Sequence, residues 1–218
     1  MIKPPSAESP SQNQPAPAAA SGLEDGLHSF WEQNRKAIFV LCVVALLAVI
    51  GREGWQFVAA QHEQDVRQAY AKAADRPEQL AAFAAANQGH VLSGIAYLRV
   101  ADAKYTAGDF RAAAENYAKA AAGLTQPALL GRAKIGAAMS QLNGADKAAG
   151  EAALKAISND MSMPKAARVE ATYHLATLAS EAGNTAEVSR LAVEAGKIDA
   201  TSSWARNATA LLRLKPAS

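Results

Sequence analysis

Residues 94–120 read GIAYLRVADAKYTAGDFRAAAENYAKA, and their spacing decides the fold. Gly108-Asp109 is a tight-turn signal between two segments that contain no breaker. Before the turn, Tyr97, Val100, Ala101 and Lys104 recur at steps of three and four residues. After it, Phe110, Ala113, Tyr117 and Ala120 do the same. That is the period of a helix with a single apolar stripe. Large and small side chains alternate along both stripes. Two antiparallel helices can therefore approach closely, with Ala101, Ala113 and Ala120 at the crossings. The stretch predicts a helical hairpin.

The same layout recurs downstream. Leu130 to Ala156 turns at Gly144, with Ala137, Ala149 and Ala156 at the small positions. Val169 to Ala195 turns at Gly183-Asn184, with Leu175, Ala176, Ala192 and Ala195 in register. The turn glycines are 36 and 39 residues apart, slightly above a period of about 34. The order of aromatic, aliphatic, small, Gly-Asp, aromatic, Ala, aromatic, Ala resembles a tetratricopeptide repeat, and the expected fold is an all-α solenoid of helix pairs. A short helix, PEQLAAFAAAN, precedes the first pair. A final one, SSWARNATALLRLK, is expected to cap the stack, with Trp204 closing its open end.

Upstream lies RKAIFVLCVVALLAVIGRE, residues 35–53. From Ala37 to Gly51 it is apolar on every face, whereas a soluble core helix shows a stripe. Fifteen residues rise only about 22 Å, short of a hydrocarbon core of about 30 Å. The flanks extend it. Trp31 and Trp55 are 24 positions apart, about 36 Å along a helix, which sets one indole near each interface. Arg35, Lys36 and Arg52 can reach toward headgroups. A cleaved signal peptide would end near Val58-Ala59-Ala60. About 35 polar residues precede the run, too many for its leading region, and Arg52-Glu53 interrupts the approach to the cleavage site. The expected organisation is a disordered Pro/Ser/Ala-rich tail at 1–22 and a juxtamembrane lead-in at 23–36, with Leu23, Leu27, Phe30 and Trp31 on one face. A transmembrane helix follows at 37–57, then a helical stalk at 58–76 and the repeat domain at 77–218. Basic residues flank the span on both sides, so charge alone does not orient it.

Composition excludes several functions. Net charge is +2 with both signs interspersed, which gives no concentrated basic face for nucleic acid. The one cysteine, Cys42, lies inside the apolar run, so no intrachain disulfide forms. His28, His62, His90 and His174 are scattered without ligand spacing, and no phosphate loop or nucleophile elbow occurs. Glu170 and His174, one turn apart, read as a surface pair. No enzyme activity, small-molecule substrate, cofactor or metal is expected.

Taken in order, these parts resemble a family of single-span bacterial inner-membrane proteins with a periplasmic tetratricopeptide-like domain, ancillary subunits of the Sec translocon. The resemblance runs from about residue 27 to the C-terminus. It is carried by FWEQNRKAIFVLCVVALLAVIGREGW, by the stalk ending in QAYAKA, and by EQLAAFAAANQGHVLSGIAYLRVA. It implies a cytoplasmic N-terminus, periplasmic repeats, and contact with the channel and with periplasmic chaperones that receive emerging chains. The long Pro-rich tail and the eroded second repeat depart from that pattern. Two readings follow. One is a membrane-tethered scaffold that binds protein partners on the concave face of its helix pairs, with Arg99, Lys104, Arg132 and Lys134 as candidate contacts. The other is a structural envelope protein whose repeats self-associate as a homo-oligomer.

Overall fold

A computed structural model describes the backbone of residues 18–213 and the side chains of residues 30–213. Among the described residues there are nine helices and no strand. They are α1 (Ala18–Ala73), α2 (Pro77–Ala86), α3 (Val91–Thr106), α4 (Phe110–Gly123), α5 (Pro127–Asn143), α6 (Lys147–Asn159), α7 (Lys165–Glu181), α8 (Thr185–Asp199) and α9 (Ser203–Leu211). The three expected hairpins are α3–α4, α5–α6 and α7–α8.

Each hairpin turn is held by the same device. Asp109, Asp146 and Asn184 are the N-caps of α4, α6 and α8. Their side chains accept a hydrogen bond from the backbone N–H three residues on, at Ala112, Ala149 and Glu187. This satisfies a donor that the first helical turn would otherwise leave unpaired. Gly108 and Gly183 precede two of these caps at φ +78° and +68°, a left-handed conformation that a Cβ disfavours. Gly144 adopts φ −93° and ends α5 without it.

The chain forms two compact units, Met1–Gln61 and His62–Ser218. In the first, α1 is the one described helix long and apolar enough to span a membrane: within Phe30–Ala73 its most apolar 18-residue window has a mean hydropathy of 2.2, and none of that window is buried. The helix already begins at Ala18, inside the stretch expected to be disordered; residues 1–17 lie outside the described residues. No break separates lead-in, span and stalk, and Phe30 and Trp31 are exposed. The side chains of Leu23 and Leu27 lie outside the described ones.

The second unit begins well before Pro77. Val66 and Ala73, within the expected helical stalk, are buried in the core, and Tyr70 packs edge-on against Phe83 at 5.5 Å. The last turns of α1 therefore act as the first helix of a pair with α2. From there the core continues as two clusters. One runs from Val66 to Ala133 and the other from Ile135 to Ala208, so α5 carries both. Tyr97, Val100, Ala101, Ala113, Tyr117, Ala120, Leu175 and Ala176 are all buried, and Phe110 is half-buried. Ala137 is only half-buried; its neighbour Ala138 is fully enclosed. Gly150 of α6 presses on that point so closely that a Cβ there would lie 2.6 Å from the Ala138 carbonyl oxygen.

Candidate functional site

Within the second unit, α3 packs on α5 and α5 on α7, whereas α4, α6 and α8 do not touch one another. Each second helix also packs on the first helix of the next pair, α4 on α5 and α6 on α7; since the first helices alone meet their own kind as well, the stack curves toward their row. The first helices of the pairs therefore line the inner, concave side, and the second helices splay on the outer side.

The inner row is polar and cross-linked. Arg132 on α5 donates to Asp102 on α3 at 2.6 Å. Asn143 on α5 donates to the Tyr105 hydroxyl at 2.9 Å, and Arg99 approaches the Tyr70 hydroxyl at 3.5 Å. Tyr117 enters from α4 between α3 and α5, and its hydroxyl donates to Asp102 at 2.7 Å. Its ring lies against Gly136, where a Cβ would stand 2.5 Å from the ring carbons. Burial and then the hydrogen bond to Asp102 hold the Tyr117 hydroxyl well above the usual phenol range.

At the far end, the Tyr173, His174 and Trp204 rings form a cluster with centroids 5.1 to 5.7 Å apart. Trp204 is half-buried, and α9 rests on both α7 and α8. Glu170 stands one turn before His174 at 4.0 Å. The pair is less exposed than a surface pair: burial pushes the His174 imidazole down and the Glu170 carboxyl up, with Arg132 opposing the latter. A cleft of about 340 Å³ continues along this face, lined by Met139, Asn143, His174, Thr177 and Glu181 among others.

The four basic residues predicted as partner contacts do not share one face. Arg99 and Arg132 lie on the inner row. Lys104 leans over the hairpin turn, 3.9 Å from Asp109. Lys134 lies two positions after Arg132 and therefore nearly opposite it on α5. It reaches Met163 Sδ at 3.8 Å and lines an outer groove of about 440 Å³ walled by alanines of α4 and α6. Sequence reasoning missed Asp102 and Tyr105 as parts of the inner row; Trp204, expected at the open end of the stack, stands there against Tyr173 and His174. The three-residue steps Arg99, Asp102, Tyr105 were a signal for the first two. Trp31, Arg35, Lys36, Ala37, Gly51, Arg52 and Trp55 all lie on α1 and are exposed. Among the described residues, no group of three or more His, Cys, Asp or Glu side chains could hold a metal ion.

A bent stack of helix pairs with a polar, aromatic inner row and capped hairpin turns is a helical-repeat protein. The chain belongs to the tetratricopeptide repeat-like domain family, which it matches over residues 28–161. The match covers most of α1 and runs to the end of α6; α7, α8 and α9 lie beyond it. No curated protein and no solved structure matches the chain. Domains of this kind commonly mediate protein–protein interaction, and no catalytic family is indicated.

Proposed function

We propose that this protein is a non-enzymatic, membrane-tethered scaffold that captures polypeptide partners on the inner row of α3, α5 and α7. The carrying observation is the asymmetry of the stack: the first helices touch along one side and present Arg99, Tyr105, Arg132 and His174 there. The exposed apolar helix α1 supports a single-span anchor. The likeness of the chain to Sec-associated inner-membrane proteins supports a place beside the translocation channel. In this reading the N-terminus is cytoplasmic, the repeats are periplasmic, and the partners are translocon subunits, emerging chains or the chaperones that receive them. Tethering raises the local concentration of a weak binding face where chains emerge.

The test is photocrosslinking in cells that produce the full chain. A crosslinker is placed at Arg99, Tyr105 or Arg132 on the inner row, or at Arg111 or Lys155 on the outer helices. Adducts with translocon subunits, secreted chains or periplasmic chaperones from inner positions alone are expected. Equal adducts from both sets would remove the inner row as the binding face. Absence of every such protein from all adducts would remove the translocon reading.

A further inference from the structure

We propose that Glu170, Tyr173 and His174 of α7, closed by Trp204 of α9, form a subsite for a lysine or arginine side chain of a bound polypeptide. The inference deepens the scaffold reading and rests on it. Glu170, Tyr173 and His174 stand at i, i+3 and i+4, so one helix face carries a carboxylate beside two rings. The Glu170 side chain is 31 % exposed, and its nearest basic group among the described residues is the His174 ring at 4.0 Å. Burial holds that ring toward its neutral form. Arg132 acts on Glu170 through space, but its guanidinium is already bonded to Asp102 at 2.6 Å. A carboxylate withdrawn from water without a close cation favours one supplied from outside. The neighbouring rings strengthen that choice, because an ammonium or guanidinium is drawn to the faces of Trp and Tyr. The cleft beyond His174 has an apolar floor, Met139, Leu142 and Leu178, that suits a hydrophobic side chain next to the basic one. Lys147 lines that cleft together with Glu151 and Glu181, and Glu151 is already paired with Lys155 at 2.6 Å.

The test uses the full chain in detergent with Trp31 and Trp55 changed to Phe, so that Trp204 is the one fluorescent indole. The probes are N-acetyl-tetraarginine amide and its tetraglutamine counterpart. A saturable change of Trp204 emission with the arginine peptide alone is expected, weakened about tenfold by Glu170→Gln and unaffected by Glu115→Gln on the outer face of α4. Glu170→Gln removes an ion that burial disfavours, so the variant should melt no lower than its parent at neutral pH, which separates lost binding from lost fold. Equal affinity of Glu170→Gln, equal binding of the glutamine peptide, or no saturable response would overturn the proposal. If inner-row crosslinking still captures partners in that case, the scaffold reading stands without this subsite.

Discussion

Tyr117 and His174 are the two side chains whose protons report most directly on the packing. The Tyr117 hydroxyl is buried and donates to an aspartate, so the folded protein keeps its proton where an unfolded chain gives it up. Its folded value lies above the free value of about 10. Stability from this group is therefore complete below pH 10 and falls as pH rises beyond it. In a spectrophotometric titration, one of the five tyrosines should stay protonated until the chain unfolds, and Tyr117→Phe should remove that laggard. The same variant loses one hydrogen bond and should cost about 1 kcal/mol in urea unfolding. His174 has the opposite sense. Its folded value is depressed by burial. Its contribution is present above the unfolded value of about 6.5 and is lost as pH falls from there through the folded value. Urea midpoints measured at pH 7.5 and 5.5 should therefore differ, and His174→Asn should shrink the difference.

Helices in this stack meet where one of them lacks a side chain. Gly150 lets α6 reach the backbone of α5, and the obstruction that a Cβ would meet is a carbonyl, which cannot swing aside. Gly150→Ala should destabilise the protein by about 1–3 kcal/mol despite the gain in helix propensity. Gly196→Ala on α8, where a Cβ would meet nothing, should be neutral or stabilising. Thermal or urea unfolding of the two variants checks the contrast. The hairpins themselves were readable from Gly-Asp and Gly-Asn turns and from aromatic–alanine alternation, since each signal is local. The crossing point in the second pair was not. In GAAMS, residues 136–140, successive alanines offer no size contrast, and the choice between Ala137 and Ala138 is made by the neighbour Gly150. The packing of the end of α1 is illegible for a related reason. Val66, Tyr70 and Ala73 have the right period for a packed face, but their partner is α2, and nothing local to α1 specifies it. The inner row is less legible: Arg99 and Arg132 stand out as charges, but the Asp102 hub joins residues 15 and 30 positions apart, which no local pattern announces.

Across the whole repeat unit, α5 belongs to both hydrophobic clusters, through Ala133 on one side and Ile135 on the other. Stability in such stacks is a sum of pair terms and interface terms, so damage at this helix should spread in both directions. Leu154 of α6 is fully buried against the distal cluster. Leu154→Ala should cost about 2–5 kcal/mol. Hydrogen exchange should show α5–α8 losing protection first and α3–α4 following through α5. If α3–α4 kept full protection while α5–α8 opened, the two clusters would be independent folding units. The way the pairs are joined has a mechanical consequence. First helices meet one another and second helices do not, but each second helix is also packed on the first helix of the next pair, α4 on α5 and α6 on α7. Flexing the stack therefore has to slide those packed second helices past the next pair, and any change of curvature is spread over all the joints instead of opening at one.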